Sequence, residues 1–246
     1  MSLSHVFPPI LPREALPRKV LTVVAHPDDE IIAIGGLLAF HGQRGDEVAV
    51  LHATPGAQGD PEGRFEDLPA LRLFEVTRAL QILGIKAPRC LDLEDGTLAS
   101  RIEDLTGLLR EQFAEVGPEL LYVFHPGEFH SDHRALARAA CEARDALPRS
   151  CHVHLIGVNQ VPPYASLYDY TDLLESKKKA LACFETQLAY LDFASKVMQR
   201  DQAATVNVEL TEITHCEQVL PCNLEDWPQI VENSDDARRL ALGGQE

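Results

Sequence analysis

Val20–Ala25 (Val-Leu-Thr-Val-Val-Ala) is apolar and largely β-branched, and it runs straight into His26-Pro27-Asp28-Asp29-Glu30. A continuous apolar run of this length reads as a parallel strand buried on both faces, since a strand with one wet face alternates. Ile31–Phe40, apolar at helix length and carrying Gly35-Gly36, follows at once. A strand that empties into imidazole and carboxylates before a helix places those groups at the C-terminal edge of its sheet. Open α/β sheets bind their ligands at that edge.

The remaining chain repeats the alternation. Glu47–Ala53, Arg89–Leu93, Leu120–Phe124 and Val153–Asn159 read as strands. Leu68–Leu83 has Leu71, Phe74, Leu80 and Leu83 at helical spacing with Gly84 just beyond, and Ile102–Val116 is stopped by Gly117-Pro118. Arg134–Ala146 and most of Leu173–Lys196 read as further helices. Thr54–Arg64 is a Gly- and Pro-rich loop at the same sheet edge as His26, and Pro162–Tyr170 is a loop holding Tyr164, Tyr168 and Tyr170. The expected fold is α/β and Rossmann-like: a mostly parallel sheet, helices on both faces, and an active site at the C-terminal edge of the strands. One domain is expected over residues 1–246, with 1–18 an irregular arm, Thr205–Leu210 strand-like, and 235–246 a polar, frayed tail.

A formal net charge of −16 excludes nucleic acid or an anionic membrane as the main partner, because phosphate repels such a surface. It leaves a small-molecule substrate open, since a pocket sets its own local field. No apolar run is long enough to span a bilayer, and Met1–Arg18 has no apolar signal core. The six cysteines are scattered without a C-x-x-C pair, which fits free thiols in a cytoplasmic, reducing setting. A homo-oligomer is neither required nor excluded.

A second apolar strand, Leu120–Phe124, also empties into polar residues: His125-Pro126-Gly127-Glu128-Phe129-His130-Ser131-Asp132-His133. Each junction supplies a His followed three residues later by a metal-capable group, His26/Asp29 and His130/His133. If the strands are neighbours, the junctions meet. Two imidazoles and a carboxylate then leave a fourth position open to water, as in catalytic zinc sites. The competing reading is that Asp28, Asp29, Ser131 and Asp132 merely cap helices. Two such junctions in one chain favour the chemical reading, and a capping residue can also be a ligand.

These residues closely resemble the PIG-L/LmbE-like family of zinc-dependent de-N-acetylases. The resemblance rests on Ala25-His26-Pro27-Asp28-Asp29-Glu30, Gly35-Gly36 and His130-Ser131-Asp132-His133-Arg134, and spans roughly residues 20–190. It implies a hydrolase that removes an N-acetyl or other N-acyl group from a small amino-sugar conjugate. It further implies His26, Asp29 and His133 as ligands of Zn2+ (Fe2+ suits the same donors) and Asp28 as general base. His130 becomes the donor or cation for the oxyanion, oriented by Asp132. Arg72-x-x-Glu75 matches a helix whose Arg reaches sugar hydroxyls, and Glu128 stands where mycothiol-type members carry Tyr. Asp95-Gly96 matches a turn near the pocket. The alternatives are a single-metal hydrolase of another amide or ester, and a non-catalytic sugar- or nucleotide-binding module. The three tyrosines offer a sugar-stacking rim or an ordinary surface loop. His52 and His125 read as satisfied histidines near the edge, and Lys177–Lys179 as a solvated helix face.

Overall fold

A computed structural model describes residues 8–241. In chain order the elements are β1 (Lys19–Val24), α1 (Asp29–Arg44), β2 (Glu47–His52), α2 (Leu68–Ile82), β3 (Arg89–Cys90), α3 (Ile102–Val116), β4 (Leu120–Phe124) and α4 (Ser131–Glu142). There follow β5 (His152–Ile156), β6 (Ser166–Asp169), α5 (Leu174–Leu181), α6 (Glu185–Leu188), α7 (Phe193–Ala203), β7 (Cys216–Cys222) and α8 (Trp227–Ala241). The sheet order is β3-β2-β1-β4-β5-β7-β6. The first five strands run parallel, and β7 pairs antiparallel with both β5 and β6.

The order places the switch point between β1 and β4. From β1 the chain moves outward to β2 and β3, then returns to β4 on the other flank, so the loops after β1 and β4 diverge and leave a crevice. Val20–Val24 and all of β4 are buried, which is why both strands read as unbroken apolar runs.

The C-terminal half departs from the sequence expectation. The Pro162–Tyr170 loop contains strand β6, and Thr205–Leu210 forms no strand. Strand β7 was not expected, because Cys-Glu-Gln-Val-Leu-Pro-Cys has neither alternation nor a continuous apolar run. Residues 235–241, read as frayed tail, continue α8, which is anchored by buried Trp227 and Val231; residues 242–246 lie outside the described range. The N-terminal arm is docked over its described part. Ile10 is buried and bridges Leu167, and Arg13 forms an ion pair with Asp172 at 2.6 Å. No described helix is long and apolar enough to cross a membrane, and all six cysteines are free thiols.

Helix α1 is broken at Ile34 (φ −140°, ψ 29°). The amides of Gly36 and Leu37 turn from the helix and donate to the Glu217 carboxylate at 2.7 and 2.8 Å. The Ile32 carbonyl, Gly36's ordinary acceptor, instead accepts from Arg200 Nη2 at 2.7 Å and Lys177 Nζ at 3.4 Å. Lys177, expected on a solvated face, is fully buried, with Nζ 2.7 Å from Asp201 Oδ2 and 2.6 Å from Glu217 Oε1. Gly36 is required here, since a Cβ would come within 2.3 Å of the Tyr170 ring. The kink is therefore held by side chains from the C-terminal segment.

Candidate metal centre and active site

The loop leaving β1 turns sharply at Asp28, whose φ of 150° is a backbone state that L-residues rarely adopt. The Asp28 carbonyl accepts the amides of Ile31 and Ile32 at 3.0 Å each, which starts α1. Asp29 folds back so that its Oδ2 accepts from the His26 amide at 2.8 Å. From β4, His133 enters in the first turn of α4 and lies flat on Phe124, with ring centroids 4.0 Å apart and planes 6° apart.

These residues converge. His26 Nδ1, His133 Nε2 and Asp29 Oδ2 lie 3.3 Å from one another along all three edges. Donors about 2.0–2.1 Å from a tetrahedral zinc ion stand about 3.3–3.4 Å apart, so this triangle has the size of three ligand positions. The far nitrogen of each ring meets a carboxylate. His26 Nε2 is 3.1 Å from Asp95 Oδ1 and 3.5 Å from Asp132 Oδ2, and His133 Nδ1 is 3.5 Å from Glu128 Oε2. Such outer carboxylates fix the orientation of ligating imidazoles. The donor set fits a divalent cation.

The field points the same way. Burial opposes charge on both rings, yet the surrounding carboxylates outweigh it, holding His26 well above its ordinary value and His133 at about 9. Asp29 is likewise buried but held well below the carboxylate range by the two histidines. A cluster with this much anionic character favours positive charge between the rings.

Asp28 borders the triangle. Burial pushes its carboxyl up to about 6, against the pull of Arg72, whose Nη2 is 3.0 Å away. Arg72 is buried, and its guanidinium also donates to the carbonyls of Gly56 (3.0 Å) and Pro27 (2.9 Å). The expectation that it reaches sugar hydroxyls is thus revised: its recorded partners belong to the protein, and it braces Asp28.

His130 is exposed, and its ring centroid lies 4.8 Å from that of His26 and 4.9 Å from that of His133. Its Nδ1 accepts from the Asp132 amide at 3.2 Å, which assigns the ring proton to Nε2 and makes the residue a neutral donor. Burial and the two neighbouring imidazoles depress its basicity in the same sense. The orienting group is therefore the backbone of residue 132. The Asp132 carboxylate instead accepts from the amides of Gly96 (2.8 Å) and Leu98 (3.2 Å) and faces His26.

Two other expected substrate contacts face elsewhere. Glu75 accepts from Thr186 through its amide (2.8 Å) and hydroxyl (2.6 Å), tying α2 to α6. Glu128 lies behind His133, where it accepts from the amides of Val158 and Asn159. The tyrosines form no rim. Tyr164 is exposed away from the cavity, Tyr168 is buried, and Tyr170 packs on α1 with its hydroxyl 2.6 Å from Asp201. His52 and His125 are satisfied, by Glu30 at 3.2 Å and by the Gly127 amide at 2.9 Å. Asp95, noted only as part of a turn, sits against His26 and accepts from the Gln58 amide at 2.8 Å.

The triangle opens into a cavity of about 690 Å³. One end carries the His and Asp cluster, the Gln58-Gly59 loop forms a side, and α7 forms the far wall.

The family described as PIG-L, GlcNAc-PI de-N-acetylase, matches residues 21–144. The chain is 34% identical over 140 residues to the Bacillus anthracis protein named probable N-acetyl-alpha-D-glucosaminyl L-malate deacetylase 2, a match spanning 54% of this chain and 62% of that one. Its structure resembles the N,N'-diacetylchitobiose deacetylase of Pyrococcus horikoshii (TM-score 0.69, 22% identity, 85% of each chain). It also resembles GalB, the 4-carboxy-2-hydroxymuconate hydratase of Pseudomonas putida (TM-score 0.66, 20% identity, 82% of this chain and 95% of that one), so the fold alone does not select one reaction. The matched stretch ends just past α4 and takes in both loops that build the His and Asp triangle, and on that match the chain belongs to the PIG-L family.

Proposed function

We propose that this chain is a metal-dependent hydrolase that removes an N-acetyl group, or a related N-acyl group, from a small amino-sugar conjugate. The observation that carries this reading is the 3.3 Å triangle of His26, His133 and Asp29 with the Asp28 carboxylate beside it. Those three residues would hold the ion, zinc(II) or iron(II), with Asp95, Asp132 and Glu128 steadying the two rings. When bound, the ion supplies Lewis-acid polarisation of the acyl carbonyl and acidifies water.

Asp28 then accepts the proton released as water adds to the carbonyl, and it returns that proton to the departing amine. A carboxyl raised to about 6 suits both tasks near neutrality. Arg72 holds Asp28 in place, and the Nε2 proton of His130 is offered to the developing oxyanion. The curated relatives named as deacetylases of N-acetylglucosaminyl malate, of an acetamido-deoxyglucopyranosyl inositol and of diacetylchitobiose support an amino-sugar substrate. The whole of residues 1–246 would work as one unit, since α7 contributes a wall of the cavity. Six free thiols suit a reducing, cytoplasmic setting.

Acetate release from N-acetylglucosamine conjugates tests the proposal. The expected result is release by metal-loaded protein, its loss on chelation, and its return with zinc(II) or iron(II). Release that survives complete chelation, or no release from any N-acetyl amino sugar by loaded protein, overturns it.

A further inference from the structure

The cavity is electrostatically two-ended. Its carboxylates, Asp28, Asp29 and Asp95, all belong to the metal-binding end. The opposite wall is formed largely by α7, which presents Phe193, Lys196, Val197 and Arg200. Those positions follow the i, i+3, i+4, i+7 spacing of a single helix face. Two cations therefore share the stripe that faces the ligand space, and no carboxylate lines that wall. This runs against the chain as a whole, in which 38 acidic residues outnumber 22 basic ones.

The two cations differ in kind. Arg200 is held rigidly: Nε donates to Asp201 Oδ1 (2.9 Å), Nη2 to the Ile32 carbonyl (2.7 Å) and Nη1 to the Val158 carbonyl (3.3 Å). One Nη1 hydrogen is left uncommitted, fixed at the cavity wall. Lys196 is half-buried, and among the described residues no carboxylate pairs with it. A mobile ammonium beside a fixed guanidinium, with Phe193 and Val197 between them as an apolar floor, is an arrangement that recognises an oxyanion.

We infer that α7 forms a subsite for an anionic aglycone, so that the preferred substrates are N-acyl amino sugars carrying a carboxylate or phosphate beyond the sugar ring. This inference rests on the hydrolase reading for the placement of the sugar. The acyl group lies at the His and Asp triangle, and the group on the anomeric side extends across the cavity toward Lys196 and Arg200. A cavity of about 690 Å³ has room for both parts.

The test uses the full chain and three matched N-acetylglucosaminides, with a neutral alkyl aglycone, a carboxyalkyl aglycone and a phosphoalkyl aglycone. The readout is the ratio of kcat/KM for each anionic probe to that for the neutral one. Metal-loaded wild type is expected to favour at least one anionic probe roughly tenfold or more, and Lys196→Glu to erase that preference mainly through KM. Lys196→Gln should give an intermediate ratio, which a misfolded variant does not. The carboxylate and phosphate arms separate the two anion chemistries. The same preference is measured by calorimetric binding of the corresponding free-amine glucosaminides. If wild type hydrolyses no probe but binds the anionic amines preferentially through Lys196, the subsite stands and the hydrolase reading falls. Equal handling of neutral and anionic probes, or a preference untouched by Lys196→Glu, overturns the inference.

Discussion

Asn at position 28 leaves one metal ion per chain and lowers kcat by about a thousandfold, within the range removed with a general base. The substitution is nearly isosteric, and the metal triangle does not use Asp28, so metal content and stability should hold. The side-chain amide keeps an acceptor for Arg72 Nη2, now 3.0 Å from Oδ2, but it cannot take a proton from water. Because the loss is chemical, it falls on kcat with little change in KM. Metal analysis and steady-state acetate release on the same preparation decide the matter. Wild-type turnover in a metal-replete Asp28→Asn protein removes Asp28 from the mechanism.

The largest expected loss of stability lies at Lys177. Asp201 is held below the carboxylate range because Lys177 and Arg200 outweigh its burial, and Glu217 is raised by burial that Lys177 only partly offsets. Lys177→Met keeps the stem that packs near Gly35 but strips Glu217 of its counter-charge. Breaking a buried pair by removing one partner costs about 3–5 kcal/mol. Denaturant unfolding should report that loss, and a change below about 1 kcal/mol would show that the network is not a clamp on the kink. The same lesion should loosen the turn that carries Asp29, since Ile32 loses one of its two C-terminal donors.

The parallel half of the fold was legible because strands buried on both faces must be apolar throughout. Val20–Ala25 and Leu120–Phe124 satisfy that rule, and the polar residues that end them mark the loops on either side of the switch point. Convergence of His26, Asp29 and His133 followed from β1 and β4 being neighbours. What escaped reading depends on long-range pairing. Lys177 looks solvated beside Lys178 and Lys179, and only Asp201 and Glu217, 24 and 40 residues downstream, reveal that it is buried. Glu75 and Glu128 invite a substrate role because carboxylates near a pocket usually do. Their partners, Thr186 and the amides of Val158 and Asn159, come from segments with no legible register. Asp95 offered one local signal, the Asp-Gly turn, without indicating that it would face His26.

Anomalous diffraction from zinc-loaded crystals at the zinc edge bears most directly on the metal centre. A single peak bonded to His26 Nδ1, His133 Nε2 and Asp29 Oδ2, about 2.0–2.2 Å from each, is the predicted result. A peak instead on the opposite side of the ring, among His26 Nε2, Asp95 and Asp132, or no peak at either place, would contradict it.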